Sequence, residues 1–174
     1  MSETPSIPDG TLPIADRRLP TIVAIALGSN LGDRQGHLRY AVSRLGTLLQ
    51  GARTSTFYET EPVGTSGPAF LNAAMVGRFA GQPRDLLDTL MQIERERGRV
   101  RTTRWAARTL DLDLVLFGSE TVNEPDLIVP HPRFRERLFV LEPLAEIAPE
   151  LVDPLTGQTV GELWEGMRAK KGNL

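Results

Sequence analysis

The chain has 174 residues, 40% of them hydrophobic and 24% charged, with a formal net charge of −2. These values describe one ordinary globular domain with a real core, and the charge gives no ground to expect nucleic-acid binding. The absence of cysteine excludes disulfides, thiolate zinc sites and cysteine nucleophiles, and two histidines, His37 and His131, cannot build a histidine-rich metal site.

No apolar run reaches the length of a membrane span, and the N-terminus lacks the basic and apolar regions of a signal peptide. The expectation is a cytoplasmic protein, monomeric, with no membrane or nucleic-acid partner. Nearly all the positive charge is arginine, the only lysines being Lys170 and Lys171. No lysine is available for a phosphate-binding P-loop, so bound phosphates would need arginine forks and metal ions.

Residues 1–20 carry Pro5, Pro8, Pro13 and Pro20 with Gly10 and few apolar side chains, the composition of a disordered leader. Residues 21–27 form a short β-rich apolar run, read as a buried strand. The glycine-rich Gly28–Asp33 that follows fits tight-turn geometry better than a phosphate loop. Leu38, Ala41, Val42, Leu45, Leu48 and Leu49 recur at helical spacing, so residues 33–50 form an amphipathic helix with Asp33 as N-cap and Gly51 as stop. His37, in the first turns with no second ligand in view, reads as a surface histidine. Residues 52–60 and 70–80 read as strands, joined by a loop longer than a hairpin needs. Pro83 starts a helix over 84–97, ended by Gly98. Glu94 lies in line with its apolar stripe; a partly buried acid near a site and a boundary residue of the stripe fit equally.

Arg95, Arg97, Arg99, Arg101, Arg104 and Arg108 then cluster around Gly98 and Trp105. Two readings stand: a solvated basic surface, or a loop that closes on a polyphosphate with Trp105 covering a flat ring. Immediately after comes the most informative stretch, the alternating strand 109–117. Alternation puts Leu110, Leu112, Leu114 and Leu116 on one face and Asp111, Asp113, Val115 and Phe117 on the other. Two carboxylates pointing the same way, roughly 6.5–7 Å apart, read either as edge-strand aspartates facing water or paired with nearby arginines, or as ligands for divalent cations held between protein and polyphosphate; the dense arginine segment before them favours the second. Further on, His131 reads as a phosphate contact or a capping histidine. Residues 143–147 and 160–167 read as short helices, and 169–174 as a frayed tail. The order β-α-β-β-α-β predicts an α+β, ferredoxin-like sandwich over residues 21–168: an antiparallel sheet with helices on one face, plus C-terminal additions.

Several separate segments resemble the 6-hydroxymethyl-7,8-dihydropterin pyrophosphokinase family of folate biosynthesis. They are Ala26–Gly32 (Ala-Leu-Gly-Ser-Asn-Leu-Gly), Phe57–Gly64 (Phe-Tyr-Glu-Thr-Glu-Pro-Val-Gly), Phe70–Ala74 (Phe-Leu-Asn-Ala-Ala), Gly98–Arg101, Arg108–Leu114 (Arg-Thr-Leu-Asp-Leu-Asp-Leu), Val129–Arg133 (Val-Pro-His-Pro-Arg) and Glu146–Glu150. The resemblance implies transfer of the β,γ-diphosphate of ATP to the pterin hydroxymethyl oxygen, with release of AMP. It implies two Mg2+ ions held by Asp111 and Asp113, and Arg99 and Arg101 as catalytic arginines on the phosphate. It puts Glu94, Arg99, Arg101, Arg108, Leu114, His131 and Arg137 on the ATP side. Thr60, Val63, Phe70, Asn72 and Phe139 fall on the pterin site, with Trp105 closing over it. A flat heterocycle wants two aromatic faces and an amide to read its edge, which Phe70, Phe139 and Asn72 supply. The chain departs from the family pattern at Ala106-Ala107, where the family often has Gly-Pro, at Pro132, where some members have an aromatic, and between Arg101 and Trp105, where the loop is one residue shorter than in some members. Two other readings of the acid pair are another Mg-dependent nucleotidyl-transfer enzyme, which would release pyrophosphate, and a non-catalytic nucleotide- or pterin-binding module.

Overall fold

The computed structural model describes residues 19–62, 67–98 and 109–172. Most of the proposed leader, the centre of the 61–69 loop and most of the arginine-rich segment therefore lie outside the described residues. The elements are β1 (Thr21–Ser29), α1 (Arg34–Leu48), β2 (Gln50–Thr54), β3 (Tyr58–Thr60), β4 (Phe70–Phe79), α2 (Pro83–Glu96), β5 (Asp111–Phe117), the β6–β7 hairpin (Val122–Glu124, Leu127–Val129), a 3-10 turn (Phe134–Glu136), α3 (Leu138–Ile147) and α4 (Val160–Gly172).

The main sheet runs β2-β4-β1-β5, with β3 also on β4, and its pairings are antiparallel. Taking β2 and β3 as one interrupted strand, this is the ferredoxin-like order. Each face has its own core. Val23, Ile25 and Leu27 of β1 pack with Leu38, Ala41 and Leu45 of α1 and Leu86, Leu90 and Ile93 of α2. The opposite face carries Ala24, Ala74 and Val76 under Val140, Leu141 and Leu144 of α3 and Val160 of α4. The C-terminal additions thus cover the face that α1 and α2 leave open.

The central strand β1 decides what each face can do. Its odd positions Val23, Ile25 and Leu27 are large, while its even positions shrink along the strand from Ile22 through Ala24 and Ala26 to Gly28. The α3 face therefore opens towards the Gly28 end.

Five local expectations are corrected. β1 runs to Ser29, so Gly28 belongs to a strand and not to the tight turn. Asp33 does cap α1, accepting from the Gly36 amide at 2.9 Å. Gly51 does not end α1, however: the chain turns extended at Leu49, and Gly51, at φ +61°, lies in β2 where its register with β4 shifts. The expected strand 52–60 breaks at 55–57. α3 begins at Leu138, five residues before the expected start, with Pro143 inside it; a proline fits the first turn of a helix, and that hid the residues ahead of it. α4 continues to Gly172, so residues 169–172 are helical and not frayed.

The strict alternation of β5 also fails. Ala24 pairs with Leu116 but Ile25 with Leu114, so Val115 is an extra residue. This bulge puts Val115 and Leu116 together on the α3 face and returns Phe117 to the α1/α2 core. Asp111 and Asp113 lie before the bulge and keep the expected shared face.

Candidate active site

Strand register assembles the site. Tyr58 pairs with Asn72, Asn72 with Gly28, and Gly28 with Asp111, a single row across four strands. One step along, Ala74 pairs with Ala26 and Ala26 with Asp113. Directly opposed residues share a face, so Asn72 and both aspartates look towards α3, with only glycine and alanine between them. Asn72 and Asp111 are two strand spacings apart, roughly 9.5 Å between backbones. Gly28 is what keeps this floor open: a β-carbon there would sit 3.2 Å from the Asn72 side-chain oxygen.

Asn72 is 4% exposed and its amide donates to Thr60 Oγ1 at 2.6 Å. That bond fixes the amide orientation. Thr60 in turn pairs with Phe70, which is half-buried at the start of β4. Arg34, the first residue of α1, braces both flanks of the 61–69 loop: it donates to the Ala69 carbonyl at 2.6 Å and pairs with Glu59 at 2.9 Å.

The wall above Asp113 comes from residues 131–139. The His131 amide donates to the Val115 carbonyl at 2.9 Å, tying this segment to the bulge. His131 Nδ1 accepts from the Arg133 amide at 3.1 Å, so the neutral ring carries its proton on Nε2, which lies 3.9 Å from Asp113 Oδ2. Burial, with Arg137 adding to it, pushes the His131 pKa down to about 4, and the ring is neutral at physiological pH. His131 therefore both caps its own turn and faces the acid pair. Arg137 Nη1 is also 3.9 Å from Asp113 Oδ2, and its guanidinium lies 5.6 Å from the centre of the Phe139 ring. Between His131 and Arg137, Arg135 is clamped by the buried carboxylate of Asp153 through contacts of 2.6 and 2.7 Å.

Glu94 is 3% exposed, and its Oε1 accepts from the Leu112 amide at 2.8 Å. It is a buried acid that pins the strand carrying the aspartates, approaching from α2 and not from the acid face. The Leu114 side chain likewise packs into the α1/α2 core, so only its main chain could touch a ligand with the aspartates. The structure thus brings together Thr60, Phe70, Asn72, Asp111, Asp113, His131, Arg137 and Phe139, while Val63, Arg99, Arg101, Trp105 and Arg108 lie outside the described residues. Gly28 and the Arg135–Asp153 pair escaped the sequence reading. The taper from Ile22 to Gly28 was a visible signal for the first; nothing local signalled the second.

Two carboxylates offer hard oxygen donors, which suits Mg2+ better than a soft metal, and leave most of an octahedral shell to water and phosphate oxygens. Among the described residues no set of three or more acids and histidines is placed to hold a metal ion by itself. No helix among them is long and apolar enough to cross a membrane.

Residues 24–149 match the family model described as 7,8-dihydro-6-hydroxymethylpterin-pyrophosphokinase. The chain belongs to this family. Membership makes it an ATP-dependent diphosphotransferase, a pyrophosphokinase of folate biosynthesis. A Bacillus subtilis 2-amino-4-hydroxy-6-hydroxymethyldihydropteridine pyrophosphokinase is 46% identical over 153 residues, covering 86% of this chain and 90% of the relative. The Haemophilus influenzae protein of the same name is 42% identical over 142 residues, covering 80% and 88%. A crystal structure of Plasmodium falciparum HPPK-DHPS superimposes with a TM-score of 0.73 over 90% of this chain, at 15% identity. That likeness supports the pyrophosphokinase fold alone, and the present chain spans 47% of that longer one.

Proposed function

We propose that the chain transfers the β,γ-diphosphate of ATP to the hydroxymethyl oxygen of 6-hydroxymethyl-7,8-dihydropterin. The observation that carries the reading is the row Asn72–Gly28–Asp111. It sets an amide that can read a heterocycle edge beside a carboxylate pair that can hold metal–triphosphate, across a floor without side chains.

In this reading Phe70 and Phe139 flank the pterin, and Asn72, oriented by Thr60, bonds its edge. Val63 and Trp105 complete that slot. Asp111 and Asp113 would hold two Mg2+ ions, which when bound neutralise the triphosphate and align it for in-line transfer. Arg137 and the Nε2–H of His131 reach the same phosphates, with Arg99, Arg101 and Arg108 as further phosphate contacts. Glu94 and Leu114 contribute through the backbone of β5. The hydroxymethyl oxygen forms a bond to the β-phosphorus as the bond from that phosphorus to the α,β-bridging oxygen breaks. AMP leaves with the bridging oxygen, and the hydroxyl proton is released. A monomer is the state proposed with this reading. The proposal takes residues 21–168 as the catalytic domain and the cytoplasm as its place of action.

The reading requires both substrates and the metal together. ATP consumption should need Mg2+ and the pterin alcohol at once; equal consumption without the pterin contradicts it. Gly28→Ala should crowd the Asn72 amide and raise the pterin KM by about tenfold, equivalent to roughly 1.4 kcal/mol, with the ATP KM unchanged. Steady-state kinetics with each substrate varied in turn check this.

A further inference from the structure

Strand β2–β3 breaks at 55–57, and the break is held by one distant carboxylate. Ser55 stays on β4, its amide donating to the Ala74 carbonyl at 2.9 Å and its Oγ accepting from the Ala74 amide at 2.9 Å. Beyond it, Glu146 of α3 accepts from the Thr56 amide at 3.0 and 3.2 Å, from Thr56 Oγ1 at 2.9 Å and from the Tyr58 hydroxyl at 2.6 Å. Three donors from a three-residue stretch thus converge on one side chain roughly 90 residues away in sequence.

The two partners are walls of the same slot. Tyr58 is the row neighbour of Asn72, and two residues further Thr60 orients the Asn72 amide. On the other side, Glu146 is seven residues from Phe139. That is two turns of α3, on the same helix face and about 10.5 Å along the axis. Between them Val140, Leu141 and Leu144 rest on Ala24, Ala74 and Val76. Apolar packing on such small side chains is non-directional and does not by itself fix the height or register of the helix. A carboxylate that accepts from three fixed donors does.

We propose that Glu146 is a positioning residue for the acceptor: by clamping Thr56 and Tyr58 it sets the gap between Phe139 on α3 and the Thr60–Asn72 pair on the sheet. The inference rests on the acceptor slot proposed above. It places the effect on the pterin and not on the nucleotide, because the clamp lies at the far end of the row from Asp111.

The test is a comparison of Glu146→Ala, Glu146→Gln and Tyr58→Phe with wild type, below the melting temperature of every variant. The measurements are both KM values, kcat and Tm. Glu146→Ala should raise the pterin KM by about tenfold and leave the ATP KM unchanged. Tyr58→Phe, which loses one hydroxyl and should keep its Tm, should move the pterin KM the same way by about threefold. Glu146→Gln, which keeps an acceptor oxygen for Thr56, should fall between wild type and alanine. A lower Tm with an unchanged pterin KM in both Glu146→Ala and Tyr58→Phe, or an equal rise in both KM values, overturns the proposal. Wild-type protein that fails to use the pterin overturns the parent reading, and this is seen before any variant is made.

Discussion

Asp113→Ala should fold as wild type does and turn over at least about a hundredfold more slowly, and Asp111→Ala should do the same. Both side chains lie on the open end of the α3 face and neither belongs to a core cluster. Asp113 is 36% exposed and its contacts to Arg137 and His131 are long, at 3.9 Å, so losing them changes stability by no more than about 1 kcal/mol. The rate effect comes from the charge. On the proposed reading the metal would lose one of its two carboxylate ligands, and the arginines facing the phosphates would not replace the charge it supplies. Asp113→Asn, which keeps the shape, should lose nearly as much. Because two such ligands act as a unit, the double variant should lose far less than the product of the single losses. Turnover numbers with Tm as the folding control check this. Near-normal rates in either alanine variant would remove the metal assignment, and a pure binding module would show no rate to lose.

Arg135→Ala should cost about 3 kcal/mol of stability, the largest structural effect expected outside the two apolar cores. Asp153 is fully enclosed. Its carboxylate accepts two bonds from Arg135, one from Thr156 Oγ1 at 2.7 Å and one from the Leu155 amide at 3.1 Å. Removing the guanidinium leaves a buried carboxylate with neutral donors only. For a domain of this size the loss corresponds to a Tm lower by about 8 °C. The pH dependence has a definite sign. Burial pushes the Asp153 pKa up, but the bonds from Arg135, Thr156 and Leu155 outweigh it and hold the carboxyl below its ordinary value. A folded-state pKa below the unfolded one gives stability that is complete above the ordinary carboxylate range and is lost as pH falls through the depressed value. Wild type should therefore lose part of its stability in acid, and Asp153→Asn should remove that part of the pH dependence. Since Arg135 sits between His131 and Arg137, its loss should also raise the ATP KM. Thermal melts of both variants between neutral and acid pH provide the check. A Tm shift of only a degree or so for Arg135→Ala would mean that the pair contributes no more than an exposed ion pair.

What was legible in the sequence depended on whether the cause was local. The acid pair on a shared strand face followed from a two-residue period, and the observed register keeps it. The same period misplaced Leu116 and Phe117, because the Val115 bulge arises from pairing with β1, a strand some 90 residues away, and leaves no mark of its own in the alternation. Gly51 fitted a helix stop equally well, and only the register with β4 shows that it serves a bulge. Pro143 argued for a helix start under the usual rule, whereas packing of Val140, Leu141 and Leu144 on the small residues of the sheet carries the helix through it. Glu94 could not be placed because its partner is a backbone amide of another element. Glu146 and Asp153 were illegible for the same reason: their bonds close only when α3 and the segment after it fold back. The taper from Ile22 through Ala24 and Ala26 to Gly28 was legible, and it marks where the second face of the sheet is hollow.

Product identity tests the central claim most directly. The protein is supplied with ATP, Mg2+ and 6-hydroxymethyl-7,8-dihydropterin, and the phosphorus-containing products are identified by 31P NMR. The account predicts AMP and a pterin carrying two phosphorus atoms in equal amounts, with both the β- and γ-phosphorus of ATP in the ester. ADP with a monophosphorylated pterin, or free pyrophosphate released in step with ATP loss, would contradict it.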